Sequence, residues 1–320
     1  MSGWKLVMVG VIALPFLYLG LVHSIASIRE ARSEAAYPPE GLFVDVGGAR
    51  VHAVIEGEGP DVVLIHGAGG NARDFTLSFS SNLAARGYRV ITFDRPGFGY
   101  SDPVEEDPAS LILQAGRLQQ AAATLGADKP IVVGHSLGGA VAMAWATSKP
   151  DHLSGLVSIA GVTNFWPGPT EALYVNSHSW LGRVFLVPGL AAFISEAYIA
   201  NVIEGVFEPQ AAPEGYADHI GAGLTIRRAS LHVNAAERVA LKENVVAMVP
   251  DYPAITVPVE ILHGDVDIIV SLDLHSEKLV EQIDGANLTV LEGIGHMPNH
   301  TSQPEVFDAI DRVAMRAGLK

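Results

Sequence analysis

Hydrophobic and polar positions follow one another along the chain in a regular order of short strands and longer helices. Within residues 41–59, two alternating stretches flank Gly47 and Gly48, which is typical of antiparallel strands joined by a tight turn. Short apolar runs ending in Gly, Asp, His or Ser are typical of buried parallel strands, and they occupy residues 61–67, 88–94, 130–136, 153–161, 257–265 and 286–293. Helical spacing of apolar residues occupies residues 72–86, 108–125, 137–148, 271–282 and 303–317. We therefore predict an α/β fold with a doubly wound, mostly parallel sheet, whose ligands lie beyond the carboxyl ends of the strands.

One long interval breaks this alternation. Residues 162–253 contain no clear central strand but do contain apolar helical segments, such as residues 181–206. An insertion at this point predicts a helical cap folded over the site. The alternative is a group of additional helices that does not contact the ligand. The core is then expected to comprise residues 42–161 and 254–320.

The N-terminus is a hydrophobic segment, residues 1–29, followed by a predicted linker, residues 30–41. Leu6 to Val22 carry no charge, and at about 1.5 Å per residue they approach the thickness of a bilayer core. We predict an uncleaved single-pass transmembrane helix and a membrane location. The alternatives are a cleaved signal, which would leave a secreted or periplasmic protein, and a helix packed on the soluble domain. The charges flanking the segment are nearly balanced, so the side of the membrane that holds the rest of the chain stays open.

Composition excludes several function classes. The 320 residues are 49% hydrophobic, which is enough to bury a large core. A formal charge of -15 argues against a nucleic-acid partner, which would favour a basic face. The chain has no cysteine, so disulfides, thiolate catalysis and cysteine-ligated metals are excluded.

The sequence GHSLGG at residues 134–139 carries the first candidate for chemistry. Gly134, Ser136 and Gly138 fit the pattern G-x-S-x-G, in which a strand turns sharply into a helix and presents the serine hydroxyl above the sheet. A serine hydroxyl becomes a strong nucleophile only when a base takes its proton and a carboxylate orients that base. Ser136 is therefore the candidate nucleophile.

Five motifs together resemble the α/β-hydrolase family, in its branch with a serine nucleophile and a cap domain. They are GHSLGG at 134–139, HGAGGN at 66–71, DRPGFGYSD at 94–102, HGDVDIIV at 263–270 and GHM at 295–297. Their order and spacing match the family across residues 43–317. The resemblance implies an α/β-hydrolase sheet with an inserted helical cap.

The resemblance also implies site residues. His296 corresponds to the family's base, and the family pattern G-x-x-D, counted from Gly264, selects Asp267 as the acid. Asp265 lies two residues earlier and could point the same way in an extended stretch, although it is more typical of a loop aspartate that accepts backbone hydrogen bonds. The oxyanion hole is expected at the backbone N–H groups of Ala68 and Leu137.

Other polar residues at strand ends are expected to support the site. His66, His135 and His263 are assigned to packing or supporting hydrogen bonds, and Asp94 or Arg95 to local pairing that braces the site. No metal and no organic cofactor is implied.

We therefore expect a membrane-anchored serine hydrolase that cleaves a carboxylic ester of a small molecule through an acyl-enzyme. Apolar residues of the predicted cap suggest an apolar acyl or aromatic substrate, unless they form the core of the cap; they are Phe165, Trp166, Leu173, Trp180, Phe185, Leu186 and Phe193. The same fold also supports carbon–carbon bond hydrolases of ring-cleavage products, lactonases, amidases and cofactor-free haloperoxidase-type perhydrolases. An alternative of another class is a catalytically silent ligand-binding protein. Dehalogenases and epoxide hydrolases of this fold carry an aspartate in place of the serine and are disfavoured.

Overall fold

A central sheet of eight strands organises the molecule. The computed structural model describes the backbone of residues 3–320 and the side chains of residues 16–195 and 197–320. In chain order the strands are β1 (Leu42–Val46), β2 (Ala49–Glu56), β3 (Asp61–Ile65), β4 (Arg89–Phe93), β5 (Ile131–His135), β6 (Gly155–Ile159), β7 (Val259–Gly264) and β8 (Asn287–Leu291). Across the sheet the order is β1-β2-β4-β3-β5-β6-β7-β8. Only the pairs β1/β2 and β2/β4 are antiparallel among these described strands, so the predicted mostly parallel α/β sheet is confirmed.

Helices connect the strands and cover both faces of the sheet. They are α1 (Gly3–Ala36), α2 (Arg73–Thr76), α3 (Phe79–Ala85), α4 (Leu111–Thr124), α5 (Leu137–Ser148), α6 (Ala172–His178), α7 (Val187–Phe193), α8 (Glu196–Val206), α9 (Tyr216–His219), α10 (Ala222–Thr225), α11 (Arg228–Met248), α12 (Ser276–Gln282), α13 (Pro298–Thr301) and α14 (Gln303–Arg316). Short 3₁₀ segments span Pro150–His152 and Val249–Ala254, and a π-helical turn spans Gly182–Leu186.

Alternation along the strands places two hydrophobic cores on opposite faces of the sheet. In β3, Val63 and Ile65 belong to a core shared with α4 and α5. Val62 and Leu64 point the other way, into a core shared with α3 and α14. Because both faces are covered, β5 and β6 are buried along their whole lengths. The carboxyl end of β5, where Ser136 follows, is thereby fixed on a rigid support.

Two helices differ from their predicted bounds. The helix predicted over residues 72–86 is divided into α2 and α3, because the backbone of Ser78 leaves the helical region at φ −162°. The helix predicted over residues 271–282 begins only at Ser276. The imidazole of His275, just before it, accepts hydrogen bonds from the backbone N–H groups of Thr163 and Asn164 and holds the preceding loop against β6.

Six helices, α6 to α11, lie between β6 and β7 within the predicted cap, residues 162–253; we call them the inserted helices. The longest, α11, packs against α6 and α7 and also reaches α5 of the core. The division of the chain into a core and a cap with these boundaries stays a prediction.

The C-terminal half of α1 packs on the inserted helices. Val22 and Ala26 are buried against Ala191 and Ala192 of α7. Arg29 donates to the Ala192 carbonyl oxygen at 2.8 Å, which satisfies one of the free carbonyls at the end of that helix. The C-terminal half of α1 is thus held in contact with the inserted helices.

The predicted linker over residues 30–41 is shorter in the structure, because α1 continues to Ala36. Glu30, within it, forms an ion pair with Arg228 at 2.6 Å, which holds this part of the helix against α11. Pro38 ends the helical stretch, since proline disfavours helical dihedrals in the residue before it.

The predicted transmembrane anchor, Leu6 to Val22, is not supported by the structure. The side chains of residues 6–15 lie outside the described residues. Over the part of the chain that is described, no single helix is long and apolar enough to cross a membrane. One pair of helical segments, Gly182–Phe193 and Ala197–Val206, is together long and apolar enough, but the two segments meet at an angle of 96°. The anchor stays a prediction.

Candidate active site

Ser136 lies on the sharp turn between β5 and α5. Its backbone adopts φ 55° and ψ −120°, a conformation that L-residues rarely occupy, which holds the hydroxyl at the end of the strand. Gly134 and Gly138 are required beside it: a Cβ at Gly134 would collide with the Gly138 carbonyl oxygen, and one at Gly138 with the carbonyl of Ile65. The turn therefore needs the small residues that the sequence pattern supplies.

We expect Gly138→Ala to lower the free energy of unfolding by about 1–3 kcal/mol, because the added methyl group overlaps backbone atoms that cannot move freely. Gly116→Ala is the matched control. Gly116 lies within α4, where a Cβ would meet no atom within 4 Å, so the same change should stabilise the helix by about 0.5–1 kcal/mol. Urea unfolding followed by circular dichroism measures both; equal effects of the two substitutions would contradict the steric argument.

The structure brings Ser136, Asp267 and His296 together from three separate loops. Nε2 of His296 lies 2.9 Å from Oγ of Ser136, and Nδ1 lies 2.7 Å from Oδ2 of Asp267. The carboxylate only accepts hydrogen bonds, so Nδ1 carries the proton and Nε2 faces the serine hydroxyl with its lone pair. The arrangement can remove the proton from Ser136.

Asp267 is held by four hydrogen-bond donors. His296 and His263 both donate to Oδ2, the latter at 3.1 Å, while the backbone N–H groups of Ile269 and Val270 donate to Oδ1. Burial alone would raise the pKa of Asp267, but the hydrogen bonds from the two histidines outweigh it and hold the pKa well below its ordinary value. The carboxylate is therefore charged at neutral pH.

Asp265 serves a different contact. Its Oδ1 accepts the backbone N–H of Gly293 at 2.6 Å. Gly293 begins the loop that carries His296, so Asp265 joins two loops of the site. The structure thus separates the two aspartates that the sequence left as alternatives for contact with His296.

The strand-end histidines occupy supporting positions. His263 donates to Asp267, as described, and accepts from Ser276 through Nδ1 at 2.6 Å. His135 donates through Nε2 to the His296 carbonyl oxygen at 2.9 Å. His66 bonds to the backbone N–H of Arg95 through Nε2. Among these three, only His135 also lines the cavity described below.

Ala68 and Leu137 both border the turn of Ser136. Ala68 follows the His66–Gly67 pair and lines the same cavity as Ser136. Leu137 is the first residue of α5, so its N–H has no intrahelical acceptor and lies at the positive end of the helix dipole. A Cβ at Gly67, the residue before Ala68, would come within 3.2 Å of the Ser136 side chain, so Ala68 lies close to the serine. The oxyanion hole at these two N–H groups stays a prediction.

A buried arginine fixes the loop that carries Ala68. Nε and Nη2 of Arg95 donate to the carbonyl oxygens of His66 and Gly67 at 3.0 and 3.1 Å. Its counter-ion is Glu237 of α11, and both side chains are fully buried. The sequence predicted local pairing of Asp94 or Arg95. Asp94 does accept the nearby backbone N–H of Tyr100 at 2.8 Å, whereas the ion-pair partner of Arg95 lies 142 residues away. The contact links an inserted helix to the backbone beside Ser136.

A cavity of about 490 Å³ opens above Ser136 and His296. Its apolar wall comes mainly from the inserted helices and the loops between them, through Ile194, Ile199, Val202, Ile203, Val206, Ile226 and Leu231. The charged side chains that line it are Asp74, Glu171 and Arg238, the last of which donates to Glu171 at 2.7 Å. Within the described residues, no cluster of three or more His, Asp or Glu side chains is arranged to hold a metal ion.

The apolar residues that the sequence singled out in the cap do not line this cavity. Phe165, Trp180 and Phe193 are absent from its lining, and all three are more than half exposed, so they form no cap core. Branched aliphatic residues take their place, because the apolar faces of α8 and the segment before α11 point inward. The inference of an apolar site therefore has to be based on a different set of residues.

Three buried histidines predict acid sensitivity. Burial, followed by the charges of neighbouring groups, lowers the pKa of His66, His135 and His275 from 6.5 to about 4. The unfolded chain takes up these protons below about pH 6.5, whereas the folded protein does not until near pH 4, so stability falls as pH decreases through this window. We expect a loss of about 1 kcal/mol per histidine for each pH unit. Urea midpoints at pH 7 and pH 5.5 test this; equal midpoints would contradict it.

Comparison with known proteins gives a consistent result. A model of the alpha/beta hydrolase family matches residues 62–310. One relative is a 2-hydroxy-6-oxononadienedioate/2-hydroxy-6-oxononatrienedioate hydrolase of Klebsiella pneumoniae, which is 37% identical to this chain over 142 residues. The match covers 41% of this chain and 49% of that protein, so it spans about half of the relative. A 2-hydroxy-6-oxo-6-phenylhexa-2,4-dienoate hydrolase of Burkholderia cepacia is 28% identical over 83% of this chain and 90% of that protein. Among solved structures, a membrane phospholipase A, described as a bacterial virulence factor, superposes with a TM-score of 0.67 at 21% identity, covering 97% of each chain.

Proposed function

Because the chain belongs to the α/β-hydrolase family, we propose that it is a serine hydrolase that cleaves carboxylic esters through an acyl-enzyme. The observation that carries this proposal is the continuous hydrogen-bonded connection from Ser136 through His296 to Asp267, at the floor of a largely apolar cavity. Each of the three groups has the partner that its part in the reaction requires.

In the acylation step, Oγ of Ser136 attacks the ester carbonyl carbon while Nε2 of His296 takes the hydroxyl proton. Asp267 stabilises the resulting imidazolium and keeps its orientation. The N–H groups of Ala68 and Leu137 donate hydrogen bonds to the carbonyl oxygen and stabilise the negative charge that develops on it. The intermediate collapses when the bond to the alcohol oxygen breaks and His296 returns its proton to that oxygen.

In the second step, water replaces the alcohol. His296 takes a proton from the water, whose oxygen attacks the acyl carbon, and the bond to Ser136 breaks as the proton passes to its oxygen. The products are a carboxylic acid, an alcohol and the regenerated serine.

The cavity supports an apolar acyl group. Its wall of isoleucine, valine and leucine side chains offers no hydrogen-bond partners, so burial of the acyl chain supplies the binding energy, about 0.8 kcal/mol for each methylene. We therefore expect kcat/KM to rise with acyl length until the cavity is filled.

Hydrolysis of a carbon–carbon bond is the second candidate, and the names of the relatives favour it. The dienoate substrates in those names carry a carboxylate, which needs a cation in the site. Arg238 is the one arginine or lysine among the described residues that line the cavity, and it already pairs with Glu171. Asp74 adds a negative charge. The charge of the cavity thus favours an uncharged ester over a dienoate.

A substrate panel separates these candidates. We propose to measure kcat/KM for p-nitrophenyl esters of increasing acyl length and for 2-hydroxy-6-oxo-6-phenylhexa-2,4-dienoate, followed through the loss of its visible absorbance. Ester turnover that exceeds dienoate turnover supports the esterase. Faster dienoate turnover than with every ester would transfer the assignment to carbon–carbon bond hydrolysis. Turnover of neither substrate by the folded protein would favour the silent binding protein.

We further propose that α1 anchors the enzyme to a membrane. The uncharged run over residues 6–22 supports this, as do the exposed side chains of Phe16, Leu17 and Leu21 on the described part of the helix. Membrane fractionation of the full-length chain provides the test. Recovery in the detergent-free soluble fraction would exclude the anchor.

A further inference from the structure

A pair of buried hydrogen-bond acceptors lies beside the reacting groups, apart from the residues that carry the proposed chemistry. The pair consists of the Asp74 carboxylate at α2 and the imidazole of His135 at the end of β5. Both side chains are more than nine-tenths buried, and both line the cavity above Ser136. We call this pair the acceptor subsite.

Asp74 is a charged acceptor with one oxygen left for a ligand. Tyr216 and His300 both donate to Oδ1, at 2.7 and 2.9 Å. Burial would raise the pKa of Asp74, but the hydrogen bond and the charge of His300 outweigh it and hold the pKa well below its ordinary value. The second oxygen, Oδ2, faces Nδ1 of His135 across 3.9 Å, too far for a hydrogen bond.

His135 supplies a second acceptor, Nδ1, which lies 3.9 Å from Oδ2 of Asp74. Its Nε2 carries a proton, since it donates to the His296 carbonyl oxygen. Burial lowers the pKa of the ring to about 4, so the ring is neutral at pH 7 and Nδ1 holds a lone pair. Within the described residues this Nδ1 is buried without a hydrogen-bond partner. A buried acceptor without a hydrogen bond lowers the stability of the folded protein, so a ligand that brings a donor to it gains binding energy.

The acceptor subsite lies next to the ring of His296. The rings of His135 and His296 are 5.0 Å apart, centre to centre. Since His296 must return its proton to the alcohol oxygen, the alcohol part of an ester lies next to that ring. The aliphatic wall of the inserted helices remains for the acyl part.

We propose that Oδ2 of Asp74 and Nδ1 of His135 each accept a hydrogen bond from one of two neighbouring hydroxyl groups on the alcohol part of the substrate. The preferred substrates are then monoesters of glycerol or of a similar vicinal diol. This inference rests on the proposed esterase function and specifies its leaving group. Two acceptors that face one another match two hydroxyl donors on adjacent carbons. A purely aliphatic alcohol would leave both acceptors without a hydrogen bond.

The test compares two esters of the same acid that differ only in the two hydroxyl groups: 2,3-dihydroxypropyl hexanoate and 2-methylbutyl hexanoate, where methyl groups replace the hydroxyls. We expect the full-length enzyme to favour the dihydroxypropyl ester by about tenfold or more in kcat/KM, since one of the two bonds is to a charged group. In Asp74→Asn the donors Tyr216 and His300 hold the amide oxygen, so an N–H₂ group replaces Oδ2 and cannot accept a hydrogen bond from the substrate. The preference should then fall to near unity.

Asp308→Asn is the matched control, because Asp308 is an exposed aspartate of α14 paired with Arg86, and its variant should keep the preference. Equal kcat/KM values for the two esters in the unmodified enzyme would overturn the acceptor subsite, although the proposed esterase activity would still stand. This comparison uses only the unmodified enzyme, so it does not depend on whether Asp74→Asn folds. Loss of the preference in Asp308→Asn as well would overturn the assignment to Asp74. If neither ester is hydrolysed, the proposed function itself fails.

Discussion

Replacing Ser136 by alanine is expected to lower kcat on p-nitrophenyl hexanoate by about 10⁵-fold or more, because the acyl-enzyme can no longer form. The methyl group of alanine fits the space of the hydroxymethyl group, so the fold should be retained. The same substitution removes the group that attacks a fluorophosphonate probe. Labelling of the unmodified protein should therefore vanish in Ser136→Ala, and it should fall sharply in His296→Ala, where the base is missing.

The probe makes this experiment independent of the substrate. Labelling that persists in Ser136→Ala would identify a different nucleophile and refute the assignment. If the unmodified protein is folded by circular dichroism but is not labelled, the serine is not activated, and the silent binding protein becomes the better explanation.

Replacing Asp267 by asparagine is expected to lower kcat by about 10⁴-fold. Four donors converge on the carboxylate: His263 and His296 on one oxygen, and two backbone N–H groups on the other. An amide must point its own N–H₂ at one of these pairs. When it faces the histidines, the ring of His296 is stabilised with its proton on Nε2, and that nitrogen can no longer accept the proton of Ser136.

Asp265→Asn is the control for this substitution. Asp265 accepts only the N–H of Gly293 within the described contacts of its side chain, and an asparagine oxygen can accept the same bond. Its kcat should therefore change by far less. Thermal unfolding of both variants separates a loss of chemistry from a loss of folded protein. A larger effect at Asp265 than at Asp267 would reverse the assignment of the acid.

The sheet and the turn of Ser136 could be predicted from the sequence because their signals are local, whereas Asp267 and His296 were selected through the resemblance to the α/β-hydrolase family. A buried parallel strand is a short apolar run, and the turn after β5 needs Gly134 and Gly138 within two residues of Ser136. Each motif ends a strand of a parallel sheet, and those ends meet at one edge. Residues 136, 267 and 296 are brought together for this reason, although more than a hundred residues separate the first two.

The features that the sequence did not reveal depend on contacts between distant segments. Asp74 looks like an ordinary aspartate in a short helix, and its two donors, Tyr216 and His300, lie 142 and 226 residues further along the chain. The sequence offered phenylalanine, tryptophan and leucine residues of the predicted cap as candidates for the apolar wall, with a core of the cap as the alternative. Which face of an inserted helix points inward depends on its packing, and the periodicity of such short, apolar segments does not determine it.

The buried ion pair of Arg95 and Glu237 constrains how this enzyme can be remodelled. Exchanging the inserted helices for those of a relative without the carboxylate would leave the Arg95 guanidinium buried and uncompensated, at a cost of about 3–5 kcal/mol. The same arginine holds the carbonyl groups of the loop before Ala68, so the damage would reach the backbone beside Ser136. Recombination that aims to change substrate specificity therefore has to transfer Arg95 and Glu237 together. During sequence divergence, the two positions are expected to change as a pair.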